Sequence, residues 1–120
     1  MDIITQTVRA LGINATYLGY RYLIDAVEIV IEDEDTLLSV CSKLYPAVAE
    51  RHHTTPDNVE RNIRTAVNAC WERGNRSILE KLFPYPIVAK PSSGELIDAI
   101  AEYCRRAAKQ AQSVANGDAK

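Results

Sequence analysis

The residues with the most chemistry to offer lie in one short window. Asn58, Arg61, Thr65 and Asn68 recur at intervals of three and four, with Glu60 and Arg64 beside them and Thr55 just ahead. On a helix this spacing brings amides, guanidiniums, a carboxylate and hydroxyls onto one exposed side. Arginine pairs with guanine O6 and N7 or with a phosphate, asparagine with adenine, and glutamate accepts from the cytosine N4 amino group. The same side admits a plainer reading. Glu60 and Arg64 stand four apart, an ion-pair spacing worth about 0.3 kcal/mol on a free helix. The two readings coexist in a protein without DNA.

The elements around this window are well marked. Thr55 is placed as N-cap, Pro56 at the first helical position, where its missing N–H does no harm, and Asp57 in the first turn, where negative charge is favoured. Val59, Ile63, Ala66, Val67, Cys70 and Trp71 form the apolar stripe, and Gly74 stands at C′. Upstream, Leu37, Val40, Cys41, Leu44 and Tyr45 make another helical stripe, with Thr36 as its N-cap. Pro46 kinks that helix or starts a new one, on which Val48 and Ala49 face inward. A residue as small as Ala49 suits a close crossing of two helices. Helix, polar break and longer helix over about 46–74 is the outline of a DNA-reading helix-turn-helix.

The remaining chain reads as helices as well. Residues 2–11 carry Ile4, Val8 and Leu11 and stop at Gly12; Asn14 or Thr16 then caps the next element. From Tyr17 to about Asp33 runs the most apolar helix, with Tyr20, Leu23, Ile24, Val27, Val30 and Ile31 on one broad side. Glu32, Asp33, Glu34 and Asp35 form an acidic corner, read as a solvated turn into the following helix. His52 and His53 end the first helix of the motif as cap and surface residues, one of them within reach of a phosphate; adjacent histidines diverge too far to share a metal. A short helix is expected within 75–83, then a proline-punctuated extended loop or short β-ribbon from Pro84 to Pro91. Ser92 and Glu95 have capping-box spacing ahead of a last helix to about Ala111, with Arg105, Arg106 and Lys109 near its C-terminus and a flexible tail over 112–120. The expectation is one all-α domain over 1–111, a six-helix bundle-like fold containing the helix-turn-helix.

With 120 residues, 47% apolar and 25% charged, the chain has the composition of a soluble globular domain. No apolar run approaches the roughly 20 residues that span a bilayer, and no signal peptide is recognisable, so a cytoplasmic protein is expected. Cys41, Cys70 and Cys104 are odd in number and widely spaced beside apolar residues, the pattern of buried free thiols. The formal net charge is −2, unevenly spread: residues 1–50 total −5, residues 51–81 total +2 and residues 82–120 total +1. Positive balance thus falls on the reading unit, although non-specific DNA affinity should be weak. No phosphate-cradling glycine loop, zinc-ligand spacing or cysteine–histidine pairing is present, so no enzyme, cofactor or metal is expected.

The stretches GYRYLIDAVEIV, LYPAVAERHHTTPDNVERNIRTAVNACWERGN and KPSSGELI carry a resemblance that covers nearly the whole chain. Tyr45-Pro46, Ala49, Thr54-Thr55, the Val59-Glu60-Arg61 and Ile63-Arg64 pattern, Ala69, Trp71, Arg73-Gly74-Asn75 and Lys90-Pro91 are its most specific parts. In these the sequence resembles the C-terminal effector domain of the sporulation-initiation response regulator, stage zero sporulation protein A. The resemblance implies a six-helix domain that binds double-stranded DNA through a helix-turn-helix at a short box close to TGTCGAA, as tandem copies or a homodimer. It places Glu60, Arg61 and Arg64 on the DNA-facing helix, and implies a polymerase sigma-subunit contact through Ser77–Leu82. Asn58 stands where family members commonly carry a base-contacting arginine, and Thr65 where they often have histidine. His52 replaces a usual aromatic core residue, and Asn62 a usual alanine.

Two functions follow as expectations. The first is a sequence-specific transcription regulator, nucleoid-associated, using Thr55, Asn58, Glu60, Arg61, Arg64, Thr65 and Asn68. The second is an antagonist or interaction module that has the fold but little DNA affinity and pairs with a full-length regulator. Residues 1–120 leave no room for a doubly wound phosphoacceptor module ahead of this domain; the chain is then either a fragment or, as expected here, a free-standing effector-like protein without aspartate phosphorylation.

Overall fold

Burial organises the chain around a central helix. In the computed structural model, which describes residues 2–118, α2 (Leu18–Glu32) packs on α1 (Ile3–Ala10), α3 (Tyr45–Arg51), α4 (Pro56–Arg73) and α6 (Ser93–Asp118). A short α5 (Arg76–Leu82) completes six α-helices, and no strand occurs among the described residues. The fold is all-α, as the periodicity predicts. Enclosure by four helices explains why Tyr22, Ala26 and Ile29 are buried along with the expected Leu23, Val27 and Val30. A helix apolar on most sides belongs in the middle. Leu96, Ile97 and Ile100 from α6 and Ile63 and Val67 from α4 close the core around it. Each such side chain contributes about 1.5–3 kcal/mol by leaving water.

Several termini differ in their chemistry from the sequence reading. Asp2 caps α1, accepting from the Thr5 N–H at 2.8 Å. Neither Asn14 nor Thr16 caps α2; Asn14 Oδ1 instead accepts from the Thr16 N–H and hydroxyl, closing a local turn, and Tyr17 takes the cap position without a side-chain bond. The segment after α2 is a 3₁₀ helix, Glu34–Ser39, followed by one π-helical turn, Val40–Leu44, that leads directly into α3. Asp33 caps it through the Asp35 N–H, whereas Thr36, the expected cap, is buried and donates to the Asp33 carbonyl at 2.7 Å. Leu38 in the 3₁₀ helix and Cys41 in the π-helical turn face outward, so Cys41 is exposed rather than buried.

The acidic corner is tied down by α6. Arg105 Nη1 donates to Glu34 Oε1 at 2.6 Å, and its Nη2 donates to the Val30 carbonyl at 2.9 Å. Arg105 therefore satisfies the C-terminal end of α2, while also approaching Glu102 of its own helix at 3.5 Å. The backbone of α6 runs on to Asp118 instead of ending near Ala111; alanine and glutamine favour helix even where apolar periodicity is absent.

Two glycines let backbones meet. A Cβ on Gly19 would collide with the Asn62 carbonyl and lie 2.9 Å from Ala66 Cβ, so α2 and α4 cross at closest range there. Gly74 ends α4 with extended backbone, not in the left-handed region expected of a C′ glycine. Its lack of a Cβ lets the carbonyls of Cys70 and Leu11 approach, and the adjacent Asn75 N–H donates to the Leu11 carbonyl at 3.1 Å.

Candidate nucleic-acid interface

Helices α3 and α4 are joined by a tight turn over 52–55, in which His53 has a φ of 52°. Thr55 caps α4 through the Asn58 N–H at 3.1 Å, with Pro56 in the first turn as its chemistry predicts. Val59, Ile63, Ala66, Val67 and Cys70 are buried, which fixes the rotation of the helix and leaves Arg61, Arg64 and Thr65 exposed. Ala49 on α3 is 3% exposed, and α3 packs against α4.

The candidate side chains fall into two groups. Arg61 is exposed and makes no ion pair within the described residues. Arg64 donates to Glu60 across one turn, and both remain substantially open to solvent. Thr65 is exposed, and its Oγ1 donates back to the Arg61 carbonyl at 3.0 Å. These four form the accessible centre of the helix.

Asn58 belongs to the second group. Its Nδ2 donates to Thr54 Oγ1 at 2.9 Å and to the Tyr22 hydroxyl at 3.3 Å, while its Oδ1 accepts from Asn62 Nδ2 at 3.0 Å. Asn62 Nδ2 also donates to the Asn58 carbonyl at 2.8 Å. Both amide hydrogens and one acceptor position of Asn58 are thus engaged inside the protein. Tyr22 stands edge-on to the His52 ring at 5.0 Å, and His52 Nε2 contacts the Asp25 carboxylate, which Arg51 also approaches at 3.8 Å. His52 is therefore half-buried in a polar network that joins α2 to the turn of the motif, where it takes the place expected of a core aromatic. Sequence reasoning had no signal for this network, because Tyr22 and Asp25 lie off the apolar stripe of α2.

At the other end of the face, Asn68 Oδ1 accepts from Lys90 Nζ at 2.6 Å. The loop that follows α5 has no strand, and its end is fixed where Pro91 is buried and Ser92 and Glu95 close the capping box, at 2.9 and 3.1 Å. Hydrogen bonds from the Ser92 backbone and hydroxyl hold the Glu95 carboxyl below the usual carboxylate range. Between loop and helix lies an open groove of about 330 Å³ whose walls include Tyr45, Glu60, Arg64, Asn68 and Lys90. Burial pushes the Tyr45 phenol up from its ordinary value, so it remains protonated.

At the C-terminal end of α4 two arginines are engaged. The Arg76 guanidinium stacks over the Trp71 ring at 3.6 Å and donates to the Trp71 carbonyl, while Arg73 reaches the Tyr17 hydroxyl. Among the described residues, no group of three or more histidine, cysteine, aspartate or glutamate side chains is placed to hold a metal ion, and no helix is long and apolar enough to cross a membrane.

An exposed, capped helix with two arginines, a carboxylate, a hydroxyl and flanking amides matches a known pattern over its whole length. The family model described as sporulation initiation factor Spo0A C terminal matches residues 4–104, which take in all of the interface. The chain therefore belongs to the family of Spo0A C-terminal domains, the DNA-binding effector domains of the sporulation response regulator.

Proposed function

We propose that this protein is a sequence-specific transcription regulator that lays α4 in the major groove of double-stranded DNA. The observation that carries the reading is the combination of Arg61, Arg64, Glu60 and Thr65 on one solvent-facing side of a helix held rigidly against α2 and α3. Arg61 and Arg64 supply guanine or phosphate contacts, and Glu60 accepts from cytosine once Arg64 has turned to the DNA. Thr55 places its backbone and hydroxyl near the phosphate strand at the N-terminal end, as helix N-termini commonly do. Asn58 shapes that end from within, and Asn68 flanks the far end. The sequence preference should accordingly differ from TGTCGAA where an arginine at position 58 would read.

The same reading assigns the exposed side of α5, within Ser77–Leu82, to a polymerase sigma subunit, and tandem or homodimeric binding to adjacent boxes on the nucleoid. Binding-site selection from random duplexes, followed by a salt titration on the selected site, tests the core of it. A preferred sequence and a steep fall of affinity with salt are expected; equal binding to every duplex would overturn it.

A second reading has a specific observation in its favour. In the free protein Arg64 is paired with Glu60, Lys90 rests on Asn68 and the Asn58 amide faces inward. A helix so internally satisfied also suits an antagonist that pairs with a receiver-bearing relative. Co-elution with such a relative in the absence of DNA, together with no selected sequence, would favour that alternative.

A further inference from the structure

Lys90 comes from outside the helix that reads, yet it reaches that helix. Its ammonium sits 2.6 Å from Asn68 Oδ1, on the flank of α4 next to Arg64 and across the open groove. No carboxylate lies within ion-pair distance of it among the described residues. The backbone that carries it is fixed on its C-terminal side, because Pro91 is buried and the Ser92–Glu95 capping box begins α6 at once. A neutral amide is a poor permanent partner for an ammonium ion. A phosphate oxygen is a better one, since its charge is opposite to that of the ammonium.

A helix lying in a major groove about 12 Å wide has a phosphate strand along each flank. We propose that Lys90 is a phosphate clamp on one flank of α4, and that Asn68 is its rest in the DNA-free state rather than a reader of bases. This rests on the DNA-binding reading above and adds a contact from a second element, with its own direction of approach. On DNA the ammonium leaves Asn68 for the phosphate strand, and the Asn68 amide is freed to follow it as a second, neutral donor. The clamp fixes register along the duplex and carries no sequence information.

The test uses the whole chain and its selected duplex, with a scrambled duplex alongside. Lys90→Gln should lower affinity for both duplexes by the same factor, about five- to tenfold near 0.1 M salt. It should also reduce the slope of log affinity against log salt by about 0.9, while base preference stays unchanged. Lys90→Arg should restore both slope and affinity. Asn68→Ala should leave base preference and slope as they are. An unchanged slope in Lys90→Gln, or a change of preferred base in Asn68→Ala, would overturn the inference while leaving the DNA-binding reading intact. Failure of the unaltered chain to bind any duplex would overturn both. Lys90 is exposed, and equal thermal midpoints for the variants and the parent would show that folding is not the cause.

Discussion

Gly19 of α2 lies directly against the Asn62 carbonyl of α4, with room for a hydrogen and none for a methyl group. This contact sets how deeply α4 is seated, because backbone rather than a flexible side chain blocks the added carbon. Gly19→Ala gains helix propensity of about 1 kcal/mol and meets overpacking of about 1–3 kcal/mol or more. We expect a net loss of up to about 2 kcal/mol, read as a lower urea midpoint with an unchanged slope. A midpoint that rises would show that the helices separate without resistance.

This crossing also marks where the sequence stops being informative. The apolar stripes of α2, α4 and α6 and the caps at Thr55 and Ser92–Glu95 were legible because they are local: period, cap residue and proline position each constrain only a few neighbours. Gly19, Gly74 and Arg105 do their work across the fold, against Asn62, Leu11 and Glu34 with Val30 respectively. Nothing in their immediate sequence names those partners. The exposed polar side of α4 was legible for a similar reason. Arg61, Arg64 and Thr65 are outward because the buried stripe of α4 turns them so, whereas the inward amide of Asn58 depends on Tyr22, far away in sequence.

Asn58 therefore has a stability role that can be separated from recognition. Asn58→Ala removes its bonds to Tyr22 and Thr54 and leaves Asn62 without an acceptor side chain. At about 0.5–1.5 kcal/mol per bond, less what water recovers, a loss of about 1–2 kcal/mol is expected. Base preference should change little. Asn58→Arg loses the same bonds but sends a long cation out along the N-terminal end of α4, and should shift preference toward TGTCGAA. If selection on Asn58→Arg returns the parent's site, position 58 does not face the bases at all.

Acid stability should carry opposite signatures at two carboxylates. Glu95 is held low by the Ser92 backbone and hydroxyl. A depressed folded value contributes stability above the ordinary carboxylate range and loses it as pH falls through the folded value. Glu28 is raised, first by burial and then by its neighbour Asp25, so its charge opposes folding at neutral pH and the penalty disappears on acidification. Glu95→Gln should accordingly destabilise at pH 7 and become neutral toward pH 3, while Glu28→Gln should stabilise at pH 7 and also become neutral at low pH. Urea midpoints across that range decide it; effects that stay constant with pH would mean that neither charge matters.

The three thiols offer a probe of the interface that needs no substitution. Cys70 and Cys104 are 1% and 2% exposed, and burial pushes the Cys70 thiol up to about 11, so at pH 8 it is both covered and protonated. Burial raises the Cys104 thiol as well. Cys41 is exposed and lines the groove beside Arg64, Asn68 and Lys90. Iodoacetamide should add once quickly, at Cys41, and add twice more only after unfolding, since the thiolate is the reacting form. If α4 lies in a major groove, the selected duplex covers this groove too and should slow the first addition several-fold, with a scrambled duplex far less effective at the same concentration. Mass spectrometry of the intact chain over time measures both effects. Two fast additions would contradict the burial of Cys70 on α4 or of Cys104 on α6, and a first addition indifferent to the selected duplex would place the DNA elsewhere on the molecule.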